Sequence, residues 1–317
     1  MYGFKIILLQ ITLAYKQIFF NVCILFYQKS KSQMKMLFTI AIIASIIISC
    51  NSADDNNHVV KKPQIAQDTV IMEKTPEKEL LDKTKKTHTI NVIRKIPHSK
   101  QSFTQGLLYH NGFLYESTGQ LGQSAVYKID PSNGEVLVKT DIDRSYFGEG
   151  IALLDNKIYM LTWRSRTCLI FDVNSLMLEK SVSYQGEGWG ITTVDDQLVM
   201  SDGSNVLKYL DDETLEIRNK VFVRENGKDL KKLNELEYIG GEIWSNIWME
   251  ATIARIDPRT GVVNGIIDVS QLYYEVEMTH EMESINGIAY DKENGKIYLT
   301  GKNWPYIFEV EIVETEN

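Results

Sequence analysis

The chain has 317 residues, a formal net charge of −8, 44% apolar residues, five histidines and three cysteines. An apolar share near one half supports a packed core and excludes wholesale disorder, while the acidic balance speaks against a nucleic-acid or anionic-membrane surface. Three cysteines cannot build a disulfide framework, and so few histidines argue against a His-rich metal site.

The first fifty residues differ from the rest. Residues 4–27 are apolar, interrupted by Lys16 and two glutamines, and Lys29 and Lys31 follow. Residues 34–50 (MKMLFTIAIIASIIISC) have the order of a signal peptide: Met34 and Lys35, an apolar stretch from Met36 to Ile48, then Ser49 and Cys50. Ile47-Ile48-Ser49-Cys50 matches a bacterial lipobox, in which the cysteine is lipidated and becomes the new N-terminus. A signal starting at Met34 is complete in itself, so residues 1–33 read as an extension from a misassigned upstream start. The competing reading, a transmembrane hairpin, is disfavoured because the second run is short for a full span. Residues 51–86 carry no aromatic side chain and mix Asn, Asp, Lys, Glu and Thr, the composition of a solvated tether. The chain thus divides into an extension plus signal (1–49), a lipidated Cys50 with its tether (50–86) and a folded domain (87–317). The expectation is an exported monomer, held to a cell-envelope membrane by its lipid alone.

Within 87–317 one template recurs about every forty residues. It is a turn pair, then apolar residues, then a hydroxyl or amide: Asn111-Gly112 to Ser117, Asn156-Lys157 to Thr162, Asp196-Gln197 to Ser201, Gly241-Glu242 to Asn246, and Gly295-Lys296 to Thr300. An apolar strand start precedes each, at Leu107, Ile151, Ile191, Leu236 and Ile288. Most are followed by a further strand ending in an Asp turn, at Asp130, Asp172, Asp211 and Asp257. Short strands bounded by Asn, Asp and Gly at this spacing read as four-stranded blades, and no window shows a helical period. The predicted fold is all-β, a five-bladed β-propeller. The fifth blade (Ile288–Val313) has only three strands of its own, so the N-terminal strand at Thr87–Ile96 is expected to close it and remove the exposed edges. A β-sandwich does not explain five equivalent motifs.

The repeat also places a site. Two residues before each apolar start stand Gln105, Glu149, Trp189, Asn234 and Asn286, a ring at one mouth of the central channel. Gly106, Gly150, Gly190 and Gly287 follow four of them, and Glu235 follows Asn234. Five residues into each second strand stand Gly119, Trp163, Gly203, Trp248 and Lys302, which add aromatic walls and a cation. Such a mixture, with few polar groups among apolar ones, is the composition of a small-ligand pocket.

Phe103-Thr104-Gln105-Gly106-Leu107, Tyr146-Phe147-Gly148-Glu149-Gly150, Gly186-Glu187-Gly188-Trp189-Gly190, Leu233-Asn234-Glu235-Leu236-Glu237, Ser245-Asn246-Ile247-Trp248, Asn286-Gly287-Ile288-Ala289 and Thr300-Gly301-Lys302-Asn303-Trp304-Pro305 resemble, in order and in every blade, the plant-type and bacterial glutaminyl-peptide cyclotransferases. The likeness runs from about Ile90 to Val313 and implies a five-bladed propeller, unlike the zinc-dependent animal-type enzymes. It implies conversion of the N-terminal glutamine of peptides or proteins to pyroglutamate with release of ammonia, with no cofactor or metal. By that likeness Glu149 is the acid/base residue, and Phe103, Gln105, Phe147, Trp163, Trp189, Asn234, Trp248 and Lys302 line the pocket. One departure stands upstream: Pro97-His98-Ser99-Lys100-Gln101-Ser102 lacks the Asp that relatives tend to carry, which touches the entry loop only.

The chemistry suits one carboxylate. The α-amine attacks its own γ-carboxamide, so the reactants are already tethered and the enzyme mainly fixes a rotamer and moves protons. Lys302 or an indole N–H is the candidate oxyanion donor. Glu187 reads as a turn cap ahead of a contact to the substrate amine, Glu235 and Glu237 as structural, Trp244 and Trp304 as packing, and Cys168 as a buried small hydrophobe. The alternative function is a non-catalytic cell-surface binding propeller, which has no need of Glu149. A metal-dependent hydrolase would require convergent carboxylates, where the ring offers mainly amides.

Overall fold

Tight turns set the strand spacing. In four of the hairpins between inner and second strands, both central residues have positive φ: Asn111-Gly112, Asp155-Asn156, Asp195-Asp196 and Gly240-Gly241. This is the turn geometry that matches strand twist and selects Asn, Asp and Gly. At the next hairpin of blades one to four an aspartate accepts a backbone N–H, with Ser132, Ser175, Thr214 and Arg259 donating to the Oδ1 of Asp130, Asp172, Asp211 and Asp257 at 2.8 Å.

A computed structural model describes residues 86–315. The extension, the signal, Cys50 and the tether up to residue 85 lie outside the described residues. β1 (Lys86–Pro97) comes first, starting one residue before the predicted domain boundary. Blade one holds β2 (Thr104–His110), β3 (Phe113–Thr118), β4 (Ala125–Ile129) and β5 (Val136–Asp141). Blade two holds β6 (Gly148–Leu154), β7 (Lys157–Thr162), β8 (Thr167–Asp172) and β9 (Leu178–Ser183). Blade three holds β10 (Ile191–Val194), β11 (Gln197–Met200), β12 (Val206–Leu210) and β13 (Ile217–Phe222). A small hairpin, β14 (Arg224–Glu225) and β15 (Lys228–Asp229), precedes blade four, which holds β16 (Leu233–Ile239), β17 (Glu242–Ile247), β18 (Thr252–Ile256) and β19 (Val263–Asp268). A 3-10 turn over Ser270–Tyr274 leads to β20 (Ile285–Asp291), β21 (Lys296–Gly301) and β22 (Tyr306–Glu314).

Consecutive strands within a blade pair antiparallel, and β1 supplies the fourth strand of the last blade. It pairs antiparallel with β22, Ile90 opposite Ile312 and Ile96 opposite Ile307, as the strand count requires. Its first residues also pair in parallel with β19, Lys86 opposite Gly265, so β1 stitches blades four and five into one eight-stranded sheet. The protein is a five-bladed β-propeller.

The core is not one mass. Five hydrophobic clusters fill the five blade interfaces, for example Leu161, Ile170, Leu198 and Met200 between blades two and three, and Leu107, Leu114, Ala289 and Tyr298 between one and five. Each blade therefore buries both faces, which explains runs such as Ile158-Tyr159-Met160-Leu161 in place of a clean alternation. At the axis the inner strands touch backbone to backbone. A Cβ on Gly106 would lie 2.9 Å from Gly150 Cα, and one on Gly190 would lie 2.0 Å from Asn234 O. Glu235 fills the fifth place, where its buried carboxyl accepts N–H groups from Leu107 (3.2 Å) in blade one and Ile288 (3.0 Å) in blade five.

Candidate active site

The ring residues sit where pairing slips. Register shifts occur between Thr104 and Gly106, Gly148 and Ile151, Leu233 and Leu236, and Ile285 and Ile288. A bulge turns a side chain off the pleat, and in this way Gln105, Glu149 and Asn234 reach one cavity of about 350 Å³. The second-strand hydroxyls and amides hold the bulges. Ser117 Oγ donates to Glu149 O at 2.6 Å, Ser201 Oγ to Asn234 O at 2.7 Å, and Asn246 Oδ1 accepts from Gly287 N at 3.0 Å, each reaching from one blade to the next.

Phe103, Gln105, Phe147, Glu149, Trp163, Trp189, Asn234, Trp248, Glu283 and Lys302 line the cavity. The nine residues that the resemblance assigns to the pocket are all among them. Asn286 is not; it is fully buried behind the wall, where Oδ1 accepts from Asn234 Nδ2 at 2.8 Å and Nδ2 donates to Thr104 O and Gln105 O. It fixes two ring members. Glu283 is the lining residue that sequence reading missed. It stands at no repeat position and is brought in through its backbone, its N–H donating to Lys302 O at 3.0 Å and its carbonyl accepting from Trp304 Nε1 at 2.9 Å.

A larger cleft of about 540 Å³ lies against the hairpin residues Asp195 and Pro258 and against Tyr209 of β12. Its ionisable groups Asp195 and Arg259 are exposed, so volume alone does not mark a site.

Glu149 is only 5% exposed, and among the described residues no donor bonds its carboxyl group. Burial raises its pKa well above the usual carboxylate range, the negative Glu187 adds to this, and Lys302 opposes it. Lys302 is 5% exposed, its Nζ lying 5.0 Å from the centroid of the Phe103 ring. Burial pulls its pKa down against the attraction of Glu149 and Glu283. Gln105 Oε1 is buried without a hydrogen-bond partner among the described residues. Among the described residues this leaves a carboxyl, a cation and an amide oxygen facing the cavity with hydrogen-bonding capacity to spare.

Aromatic rings make the walls. Phe103 meets Phe147 at 6.2 Å, Phe147 meets Trp163 at 5.7 Å, and Trp189 meets Trp248 at 5.6 Å between centroids. Glycines make room for them: a Cβ on Gly119 would lie 2.4 Å from the Phe147 ring, and one on Gly203 would lie 2.6 Å from Trp189. The indole N–H groups of Trp163 and Trp189 are already spent on Glu187 Oε2, at 2.9 and 3.3 Å. Two expectations change here. Glu187 serves the walls and not a turn, and those two indoles are not free as oxyanion donors. Trp304 and Trp244 are buried packing residues and Cys168 is a buried thiol, as expected.

The comparisons agree with this geometry. A model of the glutamine cyclotransferase family matches residues 65–312. A glutaminyl-peptide cyclotransferase of Arabidopsis thaliana is 37% identical over 236 residues, covering 73% of this chain and 74% of that protein. The crystal structure of Myxococcus xanthus glutaminyl cyclase superposes with a TM-score of 0.70 at 32% identity, over 73% of this chain and 100% of that one. With the family profile spanning every blade and the cavity described above, the chain belongs to the glutamine cyclotransferase family.

Proposed function

We propose that the protein converts the N-terminal glutamine of peptides or proteins to pyroglutamate and ammonia, with Glu149 moving the protons. The observation that carries this reading is the buried Glu149 carboxyl, without a hydrogen-bond partner among the described residues, in a cavity that it shares with the amides Gln105 and Asn234, the buried cation Lys302 and Glu283. The substrate α-nitrogen attacks the γ-carboxamide carbon and closes a five-membered ring. Ionised Glu149 takes a proton from that nitrogen and returns it to the departing amide nitrogen, which leaves as ammonia. A raised pKa brings the carboxyl closer to working pH, so donation in the second step is easier than from an ordinary glutamate. Gln105 Oε1 accepts from the substrate, Asn234 orients its backbone, and Lys302 faces the developing oxyanion. The aromatic walls exclude water and hold the side chain in one rotamer.

The test is ammonia release from a Gln-Xaa peptide. Glu149→Gln is expected to lower kcat by about 10²–10⁴-fold with the fold intact, and wild-type activity is expected to persist in EDTA. Full turnover by Glu149→Gln would sink the assignment, and a wild-type protein inert with or without calcium would favour a binding propeller. Export and anchoring belong to the same proposal and rest on the lipobox at Ile47–Cys50. Metabolic palmitate labelling should mark the wild-type chain and not Cys50→Ala; equal labelling of both removes the anchor.

A further inference from the structure

Two aromatic arcs flank Glu149. One runs from Phe103 through Phe147 to Trp163, and the other is Trp189 with Trp248. Among the described residues no ring contact joins Trp163 to Trp189, although they come from neighbouring blades. The join is Glu187, in the loop ahead of β10. Its Oε2 accepts from both indoles, and its Oε1 accepts from Arg164 Nε at 3.1 Å. The Arg164 guanidinium in turn lies 4.0 Å from the centroid of the Trp163 ring, on its face.

We propose that Glu187 is a positioning residue, which locks the two arcs into one continuous wall and so sets the affinity for substrate. Glu187 is not part of the cavity lining; it shapes the walls through the indoles, and its charge separately adds to the raised pKa of Glu149. An indole pivots about its Cβ–Cγ bond; one acceptor oxygen shared by two N–H groups from different blades fixes both pivots together. Hydrogen bonds to a charged acceptor are about twice as strong as neutral ones. Although partial burial works against ionisation, the donors from Trp163, Trp189 and Arg164 hold the Glu187 carboxyl below its ordinary range, so the clamp is ionised wherever Glu149 titrates. Gly203 leaves Trp189 room behind, and Glu187 supplies the hydrogen bond that a neutral aliphatic side chain at its place would lack.

The inference rests on the glutaminyl-peptide reading for its kinetic arm and stands apart from it for its spectroscopic arm. The Glu187 side chain is 40% exposed and lies in a loop, so its truncation leaves the core untouched. Glu187→Ala is expected to raise KM for a Gln-Xaa peptide about tenfold while kcat changes less, and to raise acrylamide quenching of tryptophan fluorescence about twofold. Glu187→Gln keeps an oxygen that both indoles can share, and is expected to restore both readouts to within about twofold of wild type. Wild-type KM and quenching in Glu187→Ala would overturn the proposal, as would Glu187→Gln matching Glu187→Ala in both. Should the alanine variant fail to fold, Glu187→Asp, one methylene too short to span both indoles, replaces it with the same expectations. A protein inert toward glutaminyl peptides defeats the functional reading, and quenching then decides the clamp alone.

Discussion

Glu149 and Lys302 are buried in the same cavity, and burial drives each toward its neutral form while their opposite charges resist. The base must be ionised to accept the first proton, so the rate falls as pH drops through the raised pKa of Glu149. Lys302 holds that pKa down; replacing it with Met should push it higher and move the acid limb of kcat/KM to higher pH. An unmoved or acid-shifted limb in a pH–rate profile would contradict this coupling. Glu149 was legible in the sequence because its position repeats: a glutamate at a place where other blades put amides and an indole. Glu187 was not. Its meaning depends on Trp163, Arg164 and Trp189 converging from two blades, and the interval between residues 163 and 187 carries no spacing rule that announces a shared hydrogen bond. Glu283 was hidden for a related reason, since only the backbone bonds to Lys302 and Trp304 bring it to the mouth.

Strands and their bulges translate those residues into a site. The template hydroxyls and amides of the second strands recur in the sequence without stating a purpose, and the structure gives one: Ser117, Ser201 and Asn246 each tie a second strand to the bulge region of the next blade. Strand count, turn positions and the closing strand could all be read because hairpin turns impose their own residue types. Bulges leave no such mark, being a slip in pairing between two strands rather than a feature of either. The glycines of the two repeat positions then divide by what they face. Gly190 faces rigid backbone, whereas Gly119 faces the Phe147 ring. Gly119→Ala is expected to displace Phe147 and lower kcat/KM about tenfold with a melting temperature within about 4 °C of wild type, and Gly190→Ala to cost several times more stability. Thermal melts run beside the assay decide it; equal melting losses in the two variants would show that the distinction is wrong.

Across the described propeller, stability rests on five blade interfaces, one of which is the closing seam. At the seam between blades five and one, the His98 side chain, 3% exposed, sits between two acceptors, Trp304 O at 2.8 Å and Glu116 Oε1 at 3.1 Å. Thr104 Oγ1 also donates to Glu116 Oε1, at 2.6 Å. Burial disfavours the imidazolium, yet the charge and hydrogen bond of Glu116, with the Trp304 carbonyl, raise the His98 pKa overall. A raised histidine contributes stability that is complete below its unfolded value of about 6.5 and is lost as pH rises through the folded one. Buried Glu235, whose pKa lies well above the usual carboxylate range mainly through desolvation, acts in the same direction from a lower starting pH. The melting temperature is therefore expected to fall between pH 6 and roughly pH 9, and to fall less in His98→Gln; a wild-type melting temperature that rises over that interval would refute the sign. Glu235→Gln leaves either Leu107 or Ile288 N–H without its acceptor, at an expected cost of about 1–3 kcal/mol. The closing strand has a further consequence, for the order of manufacture. β1 is among the earliest parts of the domain to leave the ribosome, but its antiparallel partner β22 is the last strand. Apart from Lys86–His88, which pair with β19, the strand must wait for β22, so the ring seals only once residues 306–314 have been made. Any factor that guards this protein during synthesis has one largely unpaired strand to cover until residues 306–314 arrive.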